Sequence, residues 1–435
     1  MASLRKIVKT LIPTGLFKKI EPYGHLAEAI LMNIRYGFPG RKMRIIGVTG
    51  TNGKTTTSFL IHRLLYESGI KVGLLTTVAN GIGDDIVPQS VHITTAQAGV
   101  LQKKLREFAK AGVEWVVLET SSHSLAQYRV WGVPYEIAVM TNITGDHLDY
   151  HGTFENYVEA KRRLFKIANK HGLRFGVVNA EDPSAIKFVK TVANHTTYGI
   201  GVGSLSAEDV TLSAGYSTYT AKIDSDSYNI KMNIPGEFNV SNSLAAIAVG
   251  RKLGLSKDQI EKGIAALKGV EGRMNVINEG QKFQVIVDFA STPDAFERFF
   301  ESVRPLTKGK LIAVFGSAGR RDEAKRAVQG RIAGQNADIV IVTEEDDRDI
   351  DGNQIMEEIA IGARGAGKKD DENLYLILNR EEAIGFAMTQ ASSSDDVVVL
   401  LGKGHELTIE RADGTYPWNE AEVARAALQE LKKSK

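Results

Sequence analysis

Short apolar runs rich in Val, Ile and Leu recur along the chain, separated by longer stretches in which apolar residues return every three or four positions. The short runs predict buried strands, and the longer stretches predict amphipathic helices. In the first half the predicted strands are RIIGVTG, KVGLLTT, WVVLETS and EIAVMTN, and the predicted helices include SFLIHRLLYESG, TAQAGVLQKKLREFAKAG and FENYVEAKRRLFKIANKHG. Because strands that alternate with helices form a parallel sheet covered by helices, this pattern predicts an α/β fold.

The pattern changes twice further along the chain. Between about Val210 and Ile234 polar and apolar residues alternate, which predicts an antiparallel patch of strands. A second α/β rhythm begins after Gly272, with the predicted strands FQVIVDFA, KLIAVFGS, ADIVIVTE, LYLILN and DVVVLLG. We therefore predict a short helical N-terminal segment (1–43), a central domain (44–272) and a C-terminal α/β domain (273–435).

Composition narrows the class of protein. Of the 435 residues, 43% are hydrophobic and 24% are charged, which is ordinary for a soluble globular protein. The net charge of +2 gives no reason to expect nucleic acid as a partner. The chain has no Cys, so it has no disulfide, thiolate nucleophile or Cys-ligated zinc, and no apolar run is long enough to cross a bilayer. We expect a cytoplasmic monomer.

The N-terminal stretch MASLRKIVKTLIPTGLFKKI is basic, with Lys6, Lys9, Lys18 and Lys19 among its charges. These charges interrupt the apolar residues too often for a signal peptide. The following HLAEAILMNIRYGF is apolar on one helical face. We favour a pair of helices that pack on the body of the protein; the alternative is a helix that lies on an anionic membrane surface.

The stretch VTGTNGKTTT, which begins at Val48, lies between a predicted strand and a predicted helix. Val48 stands where the pattern G-x-x-x-x-G-K-[ST] has its first Gly, so the generic match is incomplete. Gly50 and Gly53 let backbone N–H groups converge on phosphate oxygens, and the helix start adds positive potential. Lys54 supplies a charge, and Thr55 offers a hydroxyl to Mg²⁺. We predict a nucleotide-phosphate site here in preference to a structural glycine turn.

Candidate metal ligands follow two of the predicted strands. Glu119 comes directly after the apolar part of WVVLETS, and a polar stretch after EIAVMTN contains Asp146, His147, Asp149 and His151. The carboxyl ends of parallel strands are where ligands gather in α/β folds. A single carboxylate with a threonine hydroxyl and phosphate oxygens suits Mg²⁺, which keeps few protein ligands.

A series of motifs resembles the Mur ligases in type and in order. They are GTNGKTTT, ETSSHSLAQYR, TNITGDHLDYHGTFENYVEAKRRLF, GEFNVSNSLAA, GRM, VDFASTPDA, FGSAGRRDEAKR and LLGKGHE. The resemblance runs from about Arg44 to the C-terminus and is strongest for the MurE type, the UDP-N-acetylmuramoyl-tripeptide synthetases. It implies a P-loop central domain with a mostly parallel sheet and a Rossmann-like C-terminal domain. It also implies ATP and Mg²⁺ as cofactors.

The resemblance assigns roles to residues of the central domain. The ATP phosphates would be held by Gly50, Thr51, Asn52, Gly53, Lys54, Thr55 and Thr56. Magnesium would be held by Thr55, Glu119, His147 and Lys161, the last as a carbamate. Without the resemblance, Lys161 would be read as a solvated helix residue. The same resemblance implies that Lys54, Lys161 and His147 serve catalysis.

Further matches concern the remaining substrates. Other ATP contacts would come from Asn239, Asn242, Arg273 and Asp288. The acceptor would be held by Thr94, Thr95, Ser121, Gln127 and Arg129. The incoming amino acid would be held by Arg321, Glu345, Asp346, Asp347, Arg348, Gly402 and Glu406. Arg321 and Arg348 suit carboxylates, and Glu406 suits an ammonium.

The chain departs from the family pattern in three places. Only about 43 residues precede the sheet, where the family carries a UDP-binding domain, so weak UDP recognition is expected. The usual DYAHTPD reads DFASTPD, with Phe289 for Tyr and Ser291 for His. The selectivity segment of diaminopimelate enzymes, D-N-P-R, reads EDDR. Its Arg348 favours a substrate with a distal carboxylate, whereas the two added acids favour a cationic amine.

The function that the resemblance implies is ATP-dependent amide ligation in peptidoglycan synthesis. An amino acid, meso-diaminopimelate or L-lysine, would be added to a UDP-N-acetylmuramoyl-dipeptide-like acceptor through an acyl phosphate. Its partners would then be small-molecule substrates. The alternatives are a Mur-type ligase for a folate or poly-glutamate acceptor, a P-loop kinase or NTPase switch, and a non-catalytic homologue that binds the precursor. Ser291 and the short N-terminus favour the last, whereas Lys54, Glu119, His147 and Lys161 speak against it.

Overall fold

The computed structural model describes residues 14–89, 93–213 and 215–433, and the side chains of 14–20, Leu148 and Asp149 are outside this description. These residues form two units. The first comprises the described chain up to Val210, together with Thr218–Lys231 and Asn239–Leu267. The second comprises 211–217, 232–238 and the chain from Lys268 onward, which starts close to the boundary predicted near Gly272.

Among the described residues of the first half of the chain, the strands form one eleven-stranded sheet. Its order is β11-β10-β9-β8-β7-β6-β1-β5-β2-β3-β4. The bounds are β1 (Arg44–Thr49), β2 (Val72–Leu75), β3 (Ala79–Ile82), β4 (Asp85–Pro88), β5 (Trp115–Glu119), β6 (Tyr135–Met140), β7 (Phe175–Asn179), β8 (Asn194–Ile200), β9 (Leu205–Leu212), β10 (Ser217–Ile223) and β11 (Asp226–Met232). β1 lies between β5 and β6 and is parallel to both, and β2 and β7 continue the parallel region. The four strands predicted for this half are therefore confirmed.

The predicted antiparallel patch corresponds to β10 and β11, which are neighbours at one edge of the sheet. Only residues 224 and 225 separate the two strands. So short a connection can join antiparallel strands but not parallel ones, which need a long crossover.

Helices cover the sheet, as the alternating pattern predicts. Up to residue 267 they are α1 (Thr14–Tyr36), α2 (Lys54–Glu67), α3 (Ala98–Lys110), α4 (Ser122–Ala126), α5 (Leu148–His151), α6 (Phe154–Ala168), α7 (Ala185–Val189), α8 (Glu237–Lys252) and α9 (Lys257–Ala266). α6 packs closely on β1, because a Cβ at Gly47 would come within 2.6 Å of Leu164. Tyr157, Leu164 and Phe165 are fully buried on the inner face of α6. This close packing fixes α6 above the end of β1, where the phosphate-binding stretch begins.

The N-terminal prediction is tested only in part. Within the described residues one helix, α1, continues through Pro22 and packs against α3, so a pair of helices is not seen there. The amide of Asn33 anchors α1 through hydrogen bonds to the carbonyl oxygens of Ala29 and Trp131. Lys6 and Lys9, and the side chains of Lys18 and Lys19, lie outside the described residues. None of the described helices has the length and apolar character needed to span a membrane.

The second unit contains a six-stranded sheet in the order β12-β13-β17-β14-β15-β16. The bounds are β12 (Asn275–Ile277), β13 (Gln284–Asp288), β14 (Leu311–Phe315), β15 (Ile339–Val342), β16 (Leu374–Leu376) and β17 (Val397–Leu401). β13 to β17 run parallel, and β12 is antiparallel at the edge. Two apolar cores form on this sheet. All five strands predicted for this part are present, and the predicted fold class is confirmed.

The other elements of the second unit complete its layers. They are α10 (Pro293–Val303), α11 (Ala324–Asn336), α12 (Gly352–Gly365), α13 (Arg380–Gln390), α14 (Glu420–Lys433) and the antiparallel hairpin of β18 (Thr408–Arg411) with β19 (Gly414–Pro417). The loops after β13, β14, β15 and β17 all leave the same edge of the sheet, because these strands are parallel neighbours. Most candidate residues of this unit lie in those loops.

Candidate active site

The phosphate-binding stretch forms a tight loop between β1 and α2. Val48 is part of β1, so the loop proper begins at Gly50. A Cβ at Gly50 would lie 1.8 Å from Oγ1 of Thr141, and one at Gly53 would lie 2.3 Å from Oδ1 of Asn242. Gly53 also precedes α2 with a φ of 78°, in the left-handed region that favours glycine. Both glycines are therefore required by close packing as well as by the turn.

The loop after β6 holds this phosphate loop in place. The side chain of Asn142 accepts a hydrogen bond from the backbone N–H of Asn52 at 2.8 Å, and its carbonyl accepts one from Thr51 at 2.7 Å. The hydroxyls of Thr51 and Tyr157 lie 2.9 Å apart. We did not select Thr141, Asn142 or Tyr157 from the sequence. For Thr141 and Asn142 the signal in the sequence was their position at the end of the predicted strand EIAVMTN. This strand is β6, which pairs with β1 in parallel.

Thr55 and Glu119 meet at the start of α2. Oγ1 of Thr55 donates to Oε2 of Glu119 at 3.0 Å, and the backbone N–H of Thr77 donates to the same oxygen at 3.0 Å. Glu119 is almost fully buried. A hydroxyl and a carboxylate oxygen side by side form the kind of hard-oxygen donor set that Mg²⁺ takes together with phosphate oxygens. These residues therefore fit the predicted metal.

Lys161 projects from α6 into the same region, where it is buried rather than solvated. Its Nζ donates to the carbonyl oxygen of Gly50 at 2.5 Å. Burial, and then the positive charge of Lys54, lower the pKa of Lys161 well below its usual value, while the carboxylates of Asp146 and Glu119 oppose that shift. Burial is the largest cause of this shift. A neutral amine is the form that can react with CO₂.

The histidines after β6 form a cluster with the histidine of α4. The rings of His147 and His123 contact edge to face, with centroids 4.6 Å apart, and the rings of His123 and His151 are 5.4 Å apart. Nε2 of His147 lies 3.3 Å from Oδ2 of Asp146. Nε2 of His151 lies 3.1 Å from Oγ of Ser122, which points to a structural role for that histidine.

Three of the candidate acceptor residues form one hydrogen-bond network. Oγ1 of Thr95 donates to the carbonyl oxygen of Glu119 at 3.0 Å and accepts from the backbone N–H of Ser121 at 2.9 Å. Nη1 of the buried Arg129 donates to the carbonyl oxygen of Thr95 at 2.6 Å. Since the side chain of Glu119 contacts Thr55, one residue joins the candidate phosphate site to the candidate acceptor site.

Gln127 and Thr94 lie beside this network. Gln127 ends α4, and its side chain is hydrogen-bonded to the hydroxyl of Tyr150, whose pKa is raised mainly by burial. Tyr150 also lines a cavity of about 250 Å³, together with Glu21, Asn156 and Arg163. Thr94 is half-buried next to Thr95.

Asn239 and Asn242 lie on α8, against the phosphate loop. Nδ2 of Asn242 donates to Oδ1 of Asn239 at 3.0 Å, and Oδ1 of Asn242 accepts from Oγ1 of Thr57 at 3.2 Å. Both asparagines are buried. Asn242 therefore contacts the first turn of α2, and Asn239 contacts Asn242.

In the second unit, Arg273 and Asp288 are neighbours. Burial raises the pKa of Asp288, while the Arg273 charge and the backbone N–H groups of Met274 and Ala290 lower it. Phe289, which replaces the usual Tyr, lies between two polar groups. The Arg273 guanidinium is 4.6 Å from its ring centroid, and the ring of His405 is 4.9 Å from it.

Ser291, the other replacement, contacts Lys325 of the same unit through its backbone. Its carbonyl oxygen accepts a hydrogen bond from Nζ of Lys325 at 2.9 Å. The contact depends on the main chain, so it is available to any residue at this position.

Most candidate amino-acid-binding residues cluster at the carboxyl edge of the second sheet. We call four of them the acidic cluster: Glu345, Asp346, Asp347 and Glu406. Lys403 is fully buried among them, and its Nζ donates to Oδ1 of Asp346 at 2.8 Å and to Oε2 of Glu406 at 2.7 Å. Burial lowers the pKa of Lys403, but the two carboxylates outweigh it and raise the pKa overall.

Excess negative charge remains in the acidic cluster. Burial raises the pKa of Glu345, against the charges of Lys325 and Lys403. Burial and the neighbouring carboxylates raise the pKa of Asp347 to about 6. A Cβ at Gly402 would lie 2.5 Å from Oε2 of Glu345, so glycine lets that carboxylate approach the backbone.

Arg321 differs from the other candidates because it is exposed in the loop before α11. Two buried cations that we did not select lie beside the acidic cluster. Lys403 joins two members of the acidic cluster. Arg380 is buried and donates to the carbonyl oxygens of Glu344, which follows β15, and of Leu401, which ends β17. Lys403 lay within the GKGHE motif, but no pattern in the sequence singled out Arg380.

Comparison with known proteins places this geometry in context. Residues 48–250 match the Mur ligase middle domain, and residues 272–404 match the Mur ligase, glutamate ligase domain. The UDP-N-acetylmuramyl-tripeptide synthetase of Roseiflexus sp. (strain RS-1) is 42% identical over 424 residues, covering 94% of this chain and 83% of the relative. The UDP-N-acetylmuramoyl-L-alanyl-D-glutamate--2,6-diaminopimelate ligase of Clostridium tetani (strain Massachusetts / E88) is 38% identical, covering 93% and 81%.

A solved structure of a UDP-N-acetylmuramoyl-L-alanyl-D-glutamate--2,6-diaminopimelate ligase is similar to this chain with a TM-score of 0.64. Its identity is 33%, and the match covers 90% of this chain and 79% of that one. The similarity to these relatives identifies an ATP-dependent ligase, and the P-loop, the buried Thr55–Glu119 pair and the second α/β unit are consistent with that class. The chain belongs to the Mur ligase family.

Proposed function

We propose that this chain joins an amino acid to a UDP-N-acetylmuramoyl-dipeptide-like acceptor, with ATP as the energy source, during peptidoglycan synthesis. The observation that carries the proposal is the double role of Glu119. Its carboxylate contacts Thr55 of the phosphate loop, and its carbonyl accepts from Thr95 of the acceptor network. An acceptor carboxylate held at that network and a phosphate held at that loop would therefore lie at neighbouring sites.

In the first step an oxygen of the acceptor carboxylate attacks the γ-phosphorus of ATP, and ADP leaves with the bridging oxygen. The product is an acyl phosphate. Gly50, Thr51, Asn52, Gly53 and Thr56 supply backbone and hydroxyl contacts to the phosphates. Lys54 supplies positive charge where negative charge develops on the transferred phosphoryl group.

Mg²⁺, when bound, would neutralise phosphate oxygens, and Thr55, Glu119, His147 and a carbamate on Lys161 would hold it. The low pKa of Lys161 favours the neutral amine that forms such a carbamate. Asn239, Asn242, Arg273 and Asp288 would contact the rest of the nucleotide. Lys54, His147 and Lys161 are therefore the proposed catalytic residues.

In the second step the amine of the incoming amino acid attacks the acyl carbon, loses a proton and displaces inorganic phosphate to leave an amide. Thr94, Thr95, Ser121, Gln127 and Arg129 would hold the acceptor. The acidic cluster, with Arg348, Gly402 and Arg321, would hold the amino acid. Orienting the two reactants in this way is worth several kcal/mol of the barrier.

The relatives support this acceptor over a folate or poly-glutamate chain, because those at about 40% identity carry the names of muramyl-peptide ligases. The buried Lys161 and the Thr55–Glu119 pair support catalysis over precursor binding alone. We place the enzyme in the cytoplasm, where ATP and nucleotide-linked precursors occur, and expect it to act as a monomer.

The test is acceptor-dependent chemistry. Purified chain is incubated with ATP, Mg²⁺ and UDP-N-acetylmuramoyl-dipeptide, with hydroxylamine added to trap the acyl phosphate as a hydroxamate. We expect hydroxamate and ADP only when the acceptor is present, and a tripeptide product when an amino acid replaces hydroxylamine. A folate acceptor that gives the faster reaction, or ATP hydrolysis that ignores every acceptor, would refute the proposal.

A further inference from the structure

An ion pair beside the acidic cluster engages the arginine that the family resemblance reserves for a substrate carboxylate. Nε of Arg348 donates to Oε2 of Glu410 at 2.7 Å, and the backbone N–H of Arg348 donates to the carbonyl oxygen of Glu410 at 3.0 Å. Glu410 lies on β18, a strand that the sequence analysis did not predict. Two contacts between the same two residues hold Arg348 against this strand.

The remaining contacts of Arg348 limit what else its guanidinium can bind. Nη1 donates to the carbonyl oxygen of Gly319, and Nη2 lies 4.0 Å from Oδ2 of Asp346. A guanidinium binds a carboxylate best through two parallel N–H···O bonds, either from Nε with one terminal nitrogen or from both terminal nitrogens. One nitrogen of each fork already donates within the protein. A distal carboxylate on the substrate would have to displace Glu410 or Gly319 to gain a bidentate contact.

The buried cation of the acidic cluster, Lys403, is likewise engaged by protein carboxylates. Lys403 is shared between Asp346 and Glu406. Asp346 also accepts the backbone N–H of Glu410 at 2.9 Å, which ties β18 to the cluster. Asp347 is buried beside these carboxylates, and burial first, then their negative charges, raise its pKa. The cluster therefore has carboxylates in excess, and a substrate ammonium would relieve their repulsion where a second carboxylate would add to it.

We propose that Glu410 is a specificity-determining residue, which neutralises Arg348 and directs the amino-acid site toward diamino acids whose side chain ends in an ammonium alone, such as L-lysine. Diamino dicarboxylic acids, such as meso-diaminopimelate, would be disfavoured. This inference rests on the proposed function, because it concerns the second substrate of that same ligation.

The experiment compares kcat/KM for L-lysine and for meso-diaminopimelate in four forms of the full chain. They are the wild type, Glu410→Gln, Arg348→Ala and the control Glu372→Gln, which removes one carboxylate of an exposed pair with Lys369 in the same unit. We expect the wild type and the control to favour L-lysine. Glu410→Gln should shift the ratio at least about tenfold toward meso-diaminopimelate, as expected when one charge-assisted hydrogen bond is lost. In Arg348→Ala the preference for L-lysine should remain.

A hydroxylamine assay on each form separates this inference from the proposed function, because acyl-phosphate formation needs no amino acid. Absence of hydroxamate from the wild type would refute the proposed function. Normal hydroxamate with a wild-type preference for meso-diaminopimelate, or with an unchanged ratio in Glu410→Gln, would refute the role of Glu410 alone. Glu410→Gln keeps the size of the side chain, and its hydroxamate yield shows that the variant is folded.

Discussion

Two reasons require a glycine at position 53, the left-handed backbone and the close packing on Asn242. Replacing Gly53 by alanine, beside a control variant, separates them. The φ of Gly53 is 78°, so any side chain there is strained. Gly69, which follows α2, has a φ of 82°, but nothing lies within 4 Å of its would-be Cβ. Gly69→Ala is therefore a matched control that carries the backbone strain without the steric clash.

The structure sets the size of the difference. Backbone strain destabilises each variant by about 1 kcal/mol. At Gly53 the new Cβ would also lie 2.3 Å from Oδ1 of Asn242, so this side chain must move. That movement breaks its hydrogen bonds with Thr57 and Asn239, each worth about 0.5–1.5 kcal/mol. We expect Gly53→Ala to cost about 2–4 kcal/mol in all, and Gly69→Ala about 1 kcal/mol.

Thermal unfolding and calorimetric titration with ADP and Mg²⁺ measure the two consequences. Tm should fall by about 2–4 °C in Gly69→Ala and by at least twice as much in Gly53→Ala. ADP affinity should weaken at least about tenfold in Gly53→Ala, because the loop amides lose their arrangement, and should not change in Gly69→Ala. Equal Tm values and equal ADP affinities in the two variants would show that the contact with Asn242 has no role.

Three further predictions concern buried or charged groups. Lys161→Ala should lower turnover by roughly 10²–10³-fold, with partial recovery when a short carboxylic acid is supplied, and full activity without that acid would refute the carbamate. Lys54→Ala should abolish ATP turnover without lowering Tm, since Lys54 is only part-buried and contacts its own loop; a collapsed Tm with residual hydrolysis would contradict this. Burial lowers the pKa of His62 from 6.5 to about 4, so between these pH values the unfolded chain binds more protons than the folded chain. The free energy of unfolding should therefore fall by about 3 kcal/mol as the pH is lowered from 7 to 4. Denaturant titrations across that pH range should show this loss in the wild type and not in His62→Gln. If the free energy of unfolding depended on pH equally in both proteins, the lowered pKa of His62 would be refuted.

Local sequence determined much of the scaffold. Each strand that was predicted from a short apolar run is present in the structure. The prediction works because a strand buried in a parallel sheet needs continuous apolar residues whatever its neighbours are. The phosphate loop was also readable, since Gly53 and Lys54 act within a few residues of each other. The approach of Glu119 to Thr55 followed from a general property of parallel sheets, whose strand ends share one edge.

The burial of Lys161 follows partly from the helical pattern of the sequence and partly from the packing of α6. Tyr157, Leu164 and Phe165 occupy the same face of α6 at helical spacing, so the pattern placed Lys161 on the buried face. Lysine normally extends its ammonium to solvent from such a position, which is why the residue alone indicated a solvated side chain. Only the packing of α6 over the phosphate loop brings Nζ to the carbonyl of Gly50.

Tertiary structure alone decided the electrostatics of the amino-acid site. The sequence offered Arg348 for a carboxylate and two additional acids for an amine, with no means of telling which charges were already engaged. The folded chain pairs Arg348 with Glu410 and Asp346 with Lys403, across 62 and 57 positions of sequence. Such pairs depend on which loops meet at one edge of a sheet, and a charge has no local pattern that reveals its partner. The physical reason is that hydrophobic periodicity reports each segment's own burial, whereas charge neutralisation is a property of two segments brought together.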